Sequence, residues 1–350
     1  MSNGGRSAQG TPTLEDVARV AGVSRATVSR VVNGIRNVSP EIQEAVWKAV
    51  ATTGYAPNRA ARSLVTRRTG TVALIISGVG EEESREEPAP ALFEDPFFGR
   101  VVAGALGSLR SRGSQLVLML ADSPGARSEV VARLREGSCD GALVVSMRGS
   151  DPLPRMLVDA GQPTVLFAKP TQPVRTSYVD CAHRDGAKLA ADHLVSRGRT
   201  RIAAIAGPLD VPAAQERLVG FQEALVRHDL PCVGFVESDF TQAGGQAAME
   251  RLLRECPDVD GVFAANDLMA HGAVLVLRDH GRRVPEDVAV VGYDDSSAAL
   301  AGRPQLTTVR QPVEEMVGEM VDLLLNQLER PSGRVTSVVF DPTLVVRQSS

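Results

Sequence analysis

The sequence lacks the residue patterns that mark most catalytic and metal-binding proteins. Its four cysteines (Cys139, Cys181, Cys232 and Cys256) have no CxxC spacing and no accompanying histidine pattern, so free thiols are expected and a zinc site is not. The five histidines form no metal-ligand pair. A P-loop, a GxSxG elbow and a GxGxxG motif opening a helix are all missing. We therefore expect no catalytic residues, no metal and no cofactor.

Long apolar stretches are missing as well. No uninterrupted apolar run approaches the roughly 20 residues that a membrane span needs. The first twelve residues are polar and glycine-rich and lack the apolar region of a secretory signal. We therefore expect a cytoplasmic protein without a membrane partner. The missing signal region argues against a secreted solute-binding protein.

Charge is unevenly distributed along the chain. The formal net charge is −4 over 350 residues, but residues 1–70 carry ten Arg and Lys against four Asp and Glu, whereas the remainder carries 28 against 38. A small basic module is therefore joined to a large acidic body. Such a division indicates that one end binds a polyanion.

The basic end has the signals of a helix-turn-helix. Capping Thr13 predicts a first helix up to Ala21, Gly22 allows a tight exit, and Ser24 caps a second helix over Arg25–Asn33. A third helix over Ile42–Thr53 would close a three-helix core. A plain helical hairpin is the alternative that this spacing leaves open.

Charge placement favours DNA binding over the plain hairpin. With the valines of the second helix turned inward, its outer surface presents Arg25, Ala26, Thr27, Ser29, Arg30 and Asn33. Arg30 can grip a guanine through two hydrogen bonds, and the small Ala26 lets the helix approach the groove. We interpret this helix as the one that reads operator sequence.

A short segment follows the third helix. Residues 59–65 are too few for a stable isolated helix, but they suit folding on contact with DNA. Arg59 could take a phosphate, Ala61 permits close approach, and Leu64 could wedge between bases from the minor groove. The alternative is a plain basic linker.

From Thr71 onward, short aliphatic runs alternate with helical stretches. Two such series, 72–167 and 186–292, predict two doubly wound parallel α/β lobes with a cleft between them. Ligands bind in such folds beside the carboxyl ends of the strands. An enzyme remains a rival interpretation of such sheets, although the catalytic motifs are missing.

Polar residues directly after the strands are the candidates for ligand contact. They pair as Asn266 with Asp267 and Asp294 with Asp295, and Arg217 lies in a nearby helix. Carboxylate, amide and guanidinium groups each form paired hydrogen bonds to vicinal hydroxyls. The aromatic side chains that could stack on a sugar or base are Phe98, Phe167 and Phe240. Any one Asp or Asn taken alone is more commonly a helix cap or turn residue.

Several continuous stretches resemble one family. TLEDVARVAGVSRATVSRVVN and GYAPNRAARSL between Thr13 and Leu64, with FAANDLMAHGAVLVL and VPEDVAVVGYDDS further on, are similar to the lactose-repressor (LacI/GalR) family. The resemblance covers roughly Thr13 to Val346. It implies an all-α helix-turn-helix headpiece with a hinge helix, followed by a periplasmic-binding-protein-like sensor of two doubly wound parallel-sheet lobes.

The resemblance also implies roles for individual residues. Base-reading positions of the family fall on Arg25, Ala26 and Arg30, and its minor-groove lever falls on Leu64. Its phosphate contacts fall on Ser24, Thr27, Ser29, Asn33 and Asn58. Its effector contacts fall on Phe98, Arg217, Phe240, Asn266 and Asp294.

The domain boundaries follow from the same resemblance. We expect a disordered leader (1–12), a helix-turn-helix domain (13–57), a hinge helix and linker (58–70) and a sensing and dimerisation domain (71–350). Its first lobe would take 71–182 and 311–333, and its second lobe 183–310 and 334–346. The function implied is a homodimeric repressor of carbohydrate-utilisation genes, released from a palindromic double-stranded operator by a sugar or sugar derivative. A corepressor or a partner protein as the second signal is the alternative.

Two departures from the family pattern affect the ligand. Members often carry an Asp where this chain has Lys169, so Lys169 becomes a candidate contact and an acidic or phosphorylated ligand becomes possible. Residues 80–95 lengthen a loop with seven acidic residues and Arg85. A solvated surface loop is the simpler interpretation, and a border of the cleft that excludes wrong ligands is the other.

Overall fold

In the computed structural model, which describes residues 12–32, 38–55, 68–78, 94–330 and 333–350, the chain divides into two units, Met1–Thr69 and Gly70–Ser350. Each unit has its own apolar core. They are treated separately below.

The first unit contains three helices: α1 (Leu14–Ala21), α2 (Arg25–Val32) and α3 (Pro40–Thr53). Thr13 and Asp16 form a reciprocal capping box at the start of α1, which satisfies amide groups that would otherwise lack partners. Gly22 ends α1 in the left-handed conformation at φ 67°, where a side chain would be strained. Ser24 Oγ then accepts from the Thr27 amide at 3.1 Å and caps α2. The tight turn therefore follows from local sequence.

The core of this unit is built from small aliphatic side chains. Val17 and Ala18 of α1 pack against the inner face of α2 and against α3; the core also includes Val28, Val31, Val32, Val46 and Ala49. Because these side chains are short, the helices approach closely. The polar face of α2 is left outward.

The first lobe of the second unit is built on one parallel sheet. Its strands are β1 (Thr71–Ser77), β2 (Gln115–Ala121), β3 (Gly141–Ser146), β4 (Thr164–Phe167), β5 (Ser177–Cys181) and β11 (Ser337–Phe340). Their order is β11-β5-β4-β3-β1-β2. The helices around it are α4 (Pro96–Ser111), α5 (Pro124–Arg135), α6 (Leu153–Asp159) and α12 (Val313–Glu329).

The second lobe repeats the plan. Its strands are β6 (Ile202–Ala206), β7 (Cys232–Glu237), β8 (Gly261–Ala264), β9 (Ala289–Asp294), β10 (Thr307–Arg310) and β12 (Thr343–Val345), in the order β12-β10-β9-β8-β6-β7. All neighbours are parallel except β10 and β12, which run antiparallel. The helices are α7 (His183–Ser196), α8 (Pro212–Arg227), α9 (Gln242–Glu255), α10 (Asp267–Asp279) and α11 (Ser297–Ala301).

Helices cover both faces of each sheet, and a separate apolar cluster fills each of the four interfaces. This explains why the strands are continuously aliphatic instead of alternating. The predicted doubly wound fold of both lobes is confirmed. Among the residues described, none of the helices combines the length and apolar character needed to cross a bilayer.

The chain crosses between the lobes three times: after β5, after β10 and between β11 and β12. Our assignment of 334–346 to the second lobe is wrong for β11. This strand pairs with β5 at the edge of the first sheet, with Val338 opposite Val179. The third crossover therefore lies at residues 341–342. The segment is too short for a hydrophobic periodicity that would mark this position.

Candidate functional site

The two lobes of the second unit enclose a cavity of about 1040 Å³, part of it open to solvent. Its walls are the carboxyl ends of strands from both sheets, where open α/β folds bind ligands. Five of the six predicted effector contacts line it: Lys169, Arg217, Phe240, Asn266 and Asp294.

Arg217 organises the floor of the cavity. Its guanidinium lies 3.7 Å above the ring of Tyr293, and its Nη2 donates to Gln311 Oε1 at 3.0 Å. Nη1 donates to the carbonyl of Ala265. Since the side chain is nearly buried, these contacts hold a cation in a fixed orientation.

Asp294 faces Arg217, with Oδ1 at 3.4 Å from Nη2. That oxygen is buried and has no aligned hydrogen bond. Burial raises the pKa of Asp294, and the Arg217 and Arg100 guanidinium groups oppose this. A buried carboxylate oxygen without an aligned hydrogen bond is costly, so this oxygen can accept a hydrogen bond from a group that enters the cavity.

Asn266 and Phe240 form a second wall. Asn266 Oδ1 caps α10 by accepting from the Met269 amide at 2.9 Å, and its Nδ2 donates to the Phe240 carbonyl at 2.8 Å. The Phe240 ring lies against Gly207, where an added Cβ would come within 2.3 Å of the ring. Gly207 therefore lets the ring occupy this position.

Backbone strain is concentrated around the cavity. Ala168, Phe240 and Asp294 all line it with positive φ angles of 78°, 67° and 101°. Such angles are costly for residues other than glycine and tend to be found where function requires them.

Phe98 is a correction. Its side chain is 4% exposed and belongs to the apolar core of the first lobe, whereas the neighbouring Phe97 lines the cavity. The two rings meet edge to face at 5.2 Å. Both lie in the first turn of α4 and point about 100° apart around its axis, so the orientation of the helix decides which ring faces the cavity. The aromatic wall of the first lobe is therefore Phe97, packed on Phe167 at 5.5 Å.

His183 is a buried residue of the cavity lining that we did not predict as a contact. Its Nδ1 accepts a hydrogen bond from Arg217 Nε at 3.4 Å. Burial and the Arg217 charge hold the pKa of His183 well below its usual value, so the ring is neutral. Gln311 also lines the cavity and was missed, although its place directly after β10 was a usable signal.

Adjacent residues after a strand point in different directions. Asp267 is buried behind the cavity, where its carboxylate accepts from Thr308 Oγ1 at 2.6 Å and from the Ser296 amide at 2.7 Å. Burial and the Asp294 charge raise the pKa of Asp267 to about 8. Asp295 pairs with Arg347 at 2.5 Å. Neither acid lines the cavity, so only one of each predicted pair does.

Asp95 is the described end of the acidic segment, of which residues 80–93 lie outside the described residues. It lines the cavity and caps α4 by accepting from the Phe97 amide at 2.9 Å. Burial and then the Asp294 charge raise the pKa of Asp95 from 3.8 to about 6.

Lys169 stands at the exposed rim of the same cavity. Its backbone amide donates to Asp180 Oδ2 at 3.1 Å. Within the described ranges, no cluster of His, Cys, Asp or Glu is arranged to hold a metal ion.

In the first unit, α2 presents the predicted outer face. Ser24, Arg25, Ala26 and Arg30 are exposed, and Thr27 and Ser29 are half-buried. Arg25 Nε lies 2.9 Å from Glu15 Oε1 in an exposed ion pair, which contributes little to stability. The remaining predicted contacts lie outside the described residues: Asn33, Asn58, Arg59, Ala61 and Leu64.

Comparison with known proteins agrees with this architecture. Residues 13–58 match the family described as bacterial regulatory proteins, lacI family, and residues 191–350 match a periplasmic binding protein-like domain. Over 344 residues the chain is 45% identical to the HTH-type transcriptional regulator CelR of Thermobifida fusca, covering 97% of this chain and 98% of that protein. The chain belongs to the LacI family. It is a ligand-responsive, DNA-binding transcriptional regulator, and its relatives are regulators instead of enzymes.

Other relatives also match nearly the full length of the chain. The ribose operon repressor of Escherichia coli K12 is 33% identical over 97% of this chain and 99% of its own. A solved CelR–cellobiose complex matches 97% of this chain and all of its own at 43% identity, with a TM-score of 0.74. The lac repressor dimer bound to operator and an anti-inducer matches 97% of this chain and 99% of its own at 28% identity, with a TM-score of 0.81.

Proposed function

We propose that this LacI-family regulator is a homodimeric repressor that leaves a palindromic operator when its cleft binds a glucose disaccharide of the cellobiose type. The observation that carries the proposal is the pairing of the buried acceptor Asp294 and donor Arg217 with the aromatic walls Phe97 and Phe240. Sugars offer this combination of vicinal hydroxyls and an apolar ring face.

Similarity to a regulator solved with cellobiose supports a disaccharide. The relative solved with cellobiose shares 43% of its residues with this chain over nearly the full length.

The charges that line the cavity nearly balance, which suits a neutral ligand. The acidic residues are Asp95, Asp151 and Asp294, and the basic residues are Arg148, Arg155, Lys169 and Arg217. We assign to Lys169 a hydrogen bond to a sugar hydroxyl.

For the operator, we assign base contacts to Arg25, Ala26 and Arg30, and phosphate contacts to Ser24, Thr27 and Ser29. A DNA target supports a cytoplasmic location. Exposed Leu106, Val117 and Leu118 of the first lobe offer apolar area to a second copy.

The test is an operator gel shift with cellobiose, maltose, glucose, ribose and a sugar phosphate. Cellobiose should release the operator, and Asp294→Asn should bind operator normally yet fail to respond. Asn tolerates the positive φ at this position, and exposed Asp258→Asn is the matched control. Release that persists in Asp294→Asn, or a complex indifferent to cellobiose, would contradict the proposal.

A further inference from the structure

A buried ion pair lies at the first-lobe wall of the cavity. Arg127 of α5 and Asp151 have side chains only 7% and 1% exposed, with Arg127 Nε at 3.3 Å from Asp151 Oδ1. Two buried charges cost desolvation energy that apolar side chains would avoid. Packing alone would therefore favour apolar side chains at these two positions, so the hydrogen bonds of the pair indicate its role.

Asp151 fixes the orientation of the Ser146 hydroxyl through a hydrogen bond. Ser146 Oγ donates to Asp151 Oδ2 at 2.7 Å, while Asp151 Oδ1 accepts from the Leu153 amide at 3.1 Å. Ser146 Oγ also lies 3.4 Å from the Arg148 carbonyl. Both oxygen partners of the hydroxyl are acceptors, so its single proton points to the protein in either orientation.

Ser146 ends β3 and lines the cavity. With its proton committed to Asp151, its oxygen can offer a ligand only lone pairs. A charge-assisted bond of this length holds that orientation firmly.

We propose that Ser146 is a specificity residue that accepts a hydrogen bond from a ligand hydroxyl, and that Arg127 and Asp151 are positioning residues that keep it an acceptor. This inference rests on the proposed binding of a polyhydroxyl ligand in the cleft. Each lobe would then supply one acceptor for a ligand hydroxyl: Ser146 in the first lobe and Asp294 in the second.

Fluorinated sugars test this, because fluorine replaces a hydroxyl without donating a hydrogen bond. Calorimetry would compare cellobiose with its monofluorinated analogues, each ring hydroxyl replaced in turn, on wild-type protein, Ser146→Ala and Asp151→Asn. Exposed Ser128→Ala on α5 is the matched control. Thermal unfolding would confirm that each variant is folded.

In the wild-type protein, each analogue that lacks a hydroxyl donor to Ser146 or Asp294 should bind about tenfold more weakly, the value of one hydrogen bond. In Ser146→Ala, the affinity for cellobiose should fall by about the same factor. The affinity for the analogue that lacks the donor to Ser146 should fall no further, whereas analogues that lack a donor to Asp294 should keep their loss. In Asp151→Asn the new amide can donate to Ser146 Oγ and free its proton, so the loss on fluorination should shrink. Loss of packing alone would weaken both sugars equally.

Unchanged cellobiose affinity in Ser146→Ala, or the same loss on fluorination for every analogue with and without the Ser146 hydroxyl, would overturn the inference. If maltose binds in place of cellobiose, the proposed linkage is wrong, and if ribose or glucose binds, the disaccharide proposal is wrong. In each case the comparison is made with fluorinated forms of the sugar that binds. If no sugar binds, both proposals are wrong.

Discussion

Replacing Asp95 by Asn should stabilise the protein at neutral pH. In the folded state, burial and the Asp294 charge raise the pKa of Asp95 from 3.8 to about 6, so ionising this carboxyl is harder than in the unfolded chain. Asn keeps an oxygen that can accept from the Phe97 amide and is a good helix cap, but it carries no charge. The substitution therefore removes the repulsion and leaves the cap.

The magnitude follows from proton linkage. One pH unit of pKa difference corresponds to about 1.4 kcal/mol, so the difference between 3.8 and about 6 gives a cost of at most ~3 kcal/mol at pH 7. A raised pKa means that the folded state binds the proton more tightly. The stability from this site is therefore fully present below about pH 3.8 and is lost as pH rises through about 6.

The assay is urea unfolding followed by far-UV circular dichroism at several pH values between 4 and 7. One protein concentration is used, because the stability of a dimer depends on concentration. Asp95→Asn should gain about 1–3 kcal/mol at pH 7, and the gain should fall towards zero at pH 4. Exposed Glu94→Gln, one residue away, should show no such pH-dependent gain. A gain that is absent at pH 7, or that stays constant down to pH 4, would refute the reasoning.

Three further substitutions separate the parts of the molecule. Arg30→Ala should cost about 1–3 kcal/mol of operator discrimination in a gel shift and leave cellobiose affinity unchanged; retained discrimination would exclude Arg30 from base contact. Phe98→Ala should lower the free energy of unfolding by about 3–5 kcal/mol, whereas Phe97→Ala should mainly weaken cellobiose binding in calorimetry; the reverse result would restore Phe98 as the contact. Gly207→Ala should displace the Phe240 ring, since the new Cβ would lie 2.3 Å from it. The affinity for cellobiose should then fall roughly tenfold while operator binding is unchanged, and an unchanged cellobiose affinity would argue against an aromatic wall there.

The sequence predicted the helix-turn-helix well because its signals are local. Thr13, Gly22 and Ser24 act on amides within a few residues of themselves, so their effect is decided before the chain packs. The alternation of aliphatic strands and helices likewise predicted both lobes, since strands covered on both faces must be continuously apolar.

The sequence predicted which strand ends form the candidate site, but not which side chain at each end faces the cavity. The rule that ligands meet the carboxyl ends of strands found Asn266 and Asp294, and applied to β3 and β10 it would also have found Ser146 and Gln311. It could not tell Asn266 from Asp267, because both follow the same strand.

What the sequence alone determined is therefore the kind of protein: a basic reading head and a two-lobed sensor, each defined by local caps and periodic apolar residues. Tertiary structure decided which of two neighbouring side chains faces the cleft, as with Phe97 over Phe98, and which sheet receives β11. It also buried His183 under Arg217 and raised the pKa of Asp95. These outcomes depend on helix rotation, long-range strand pairing and desolvation, and each of them arises only when segments distant in the chain come together.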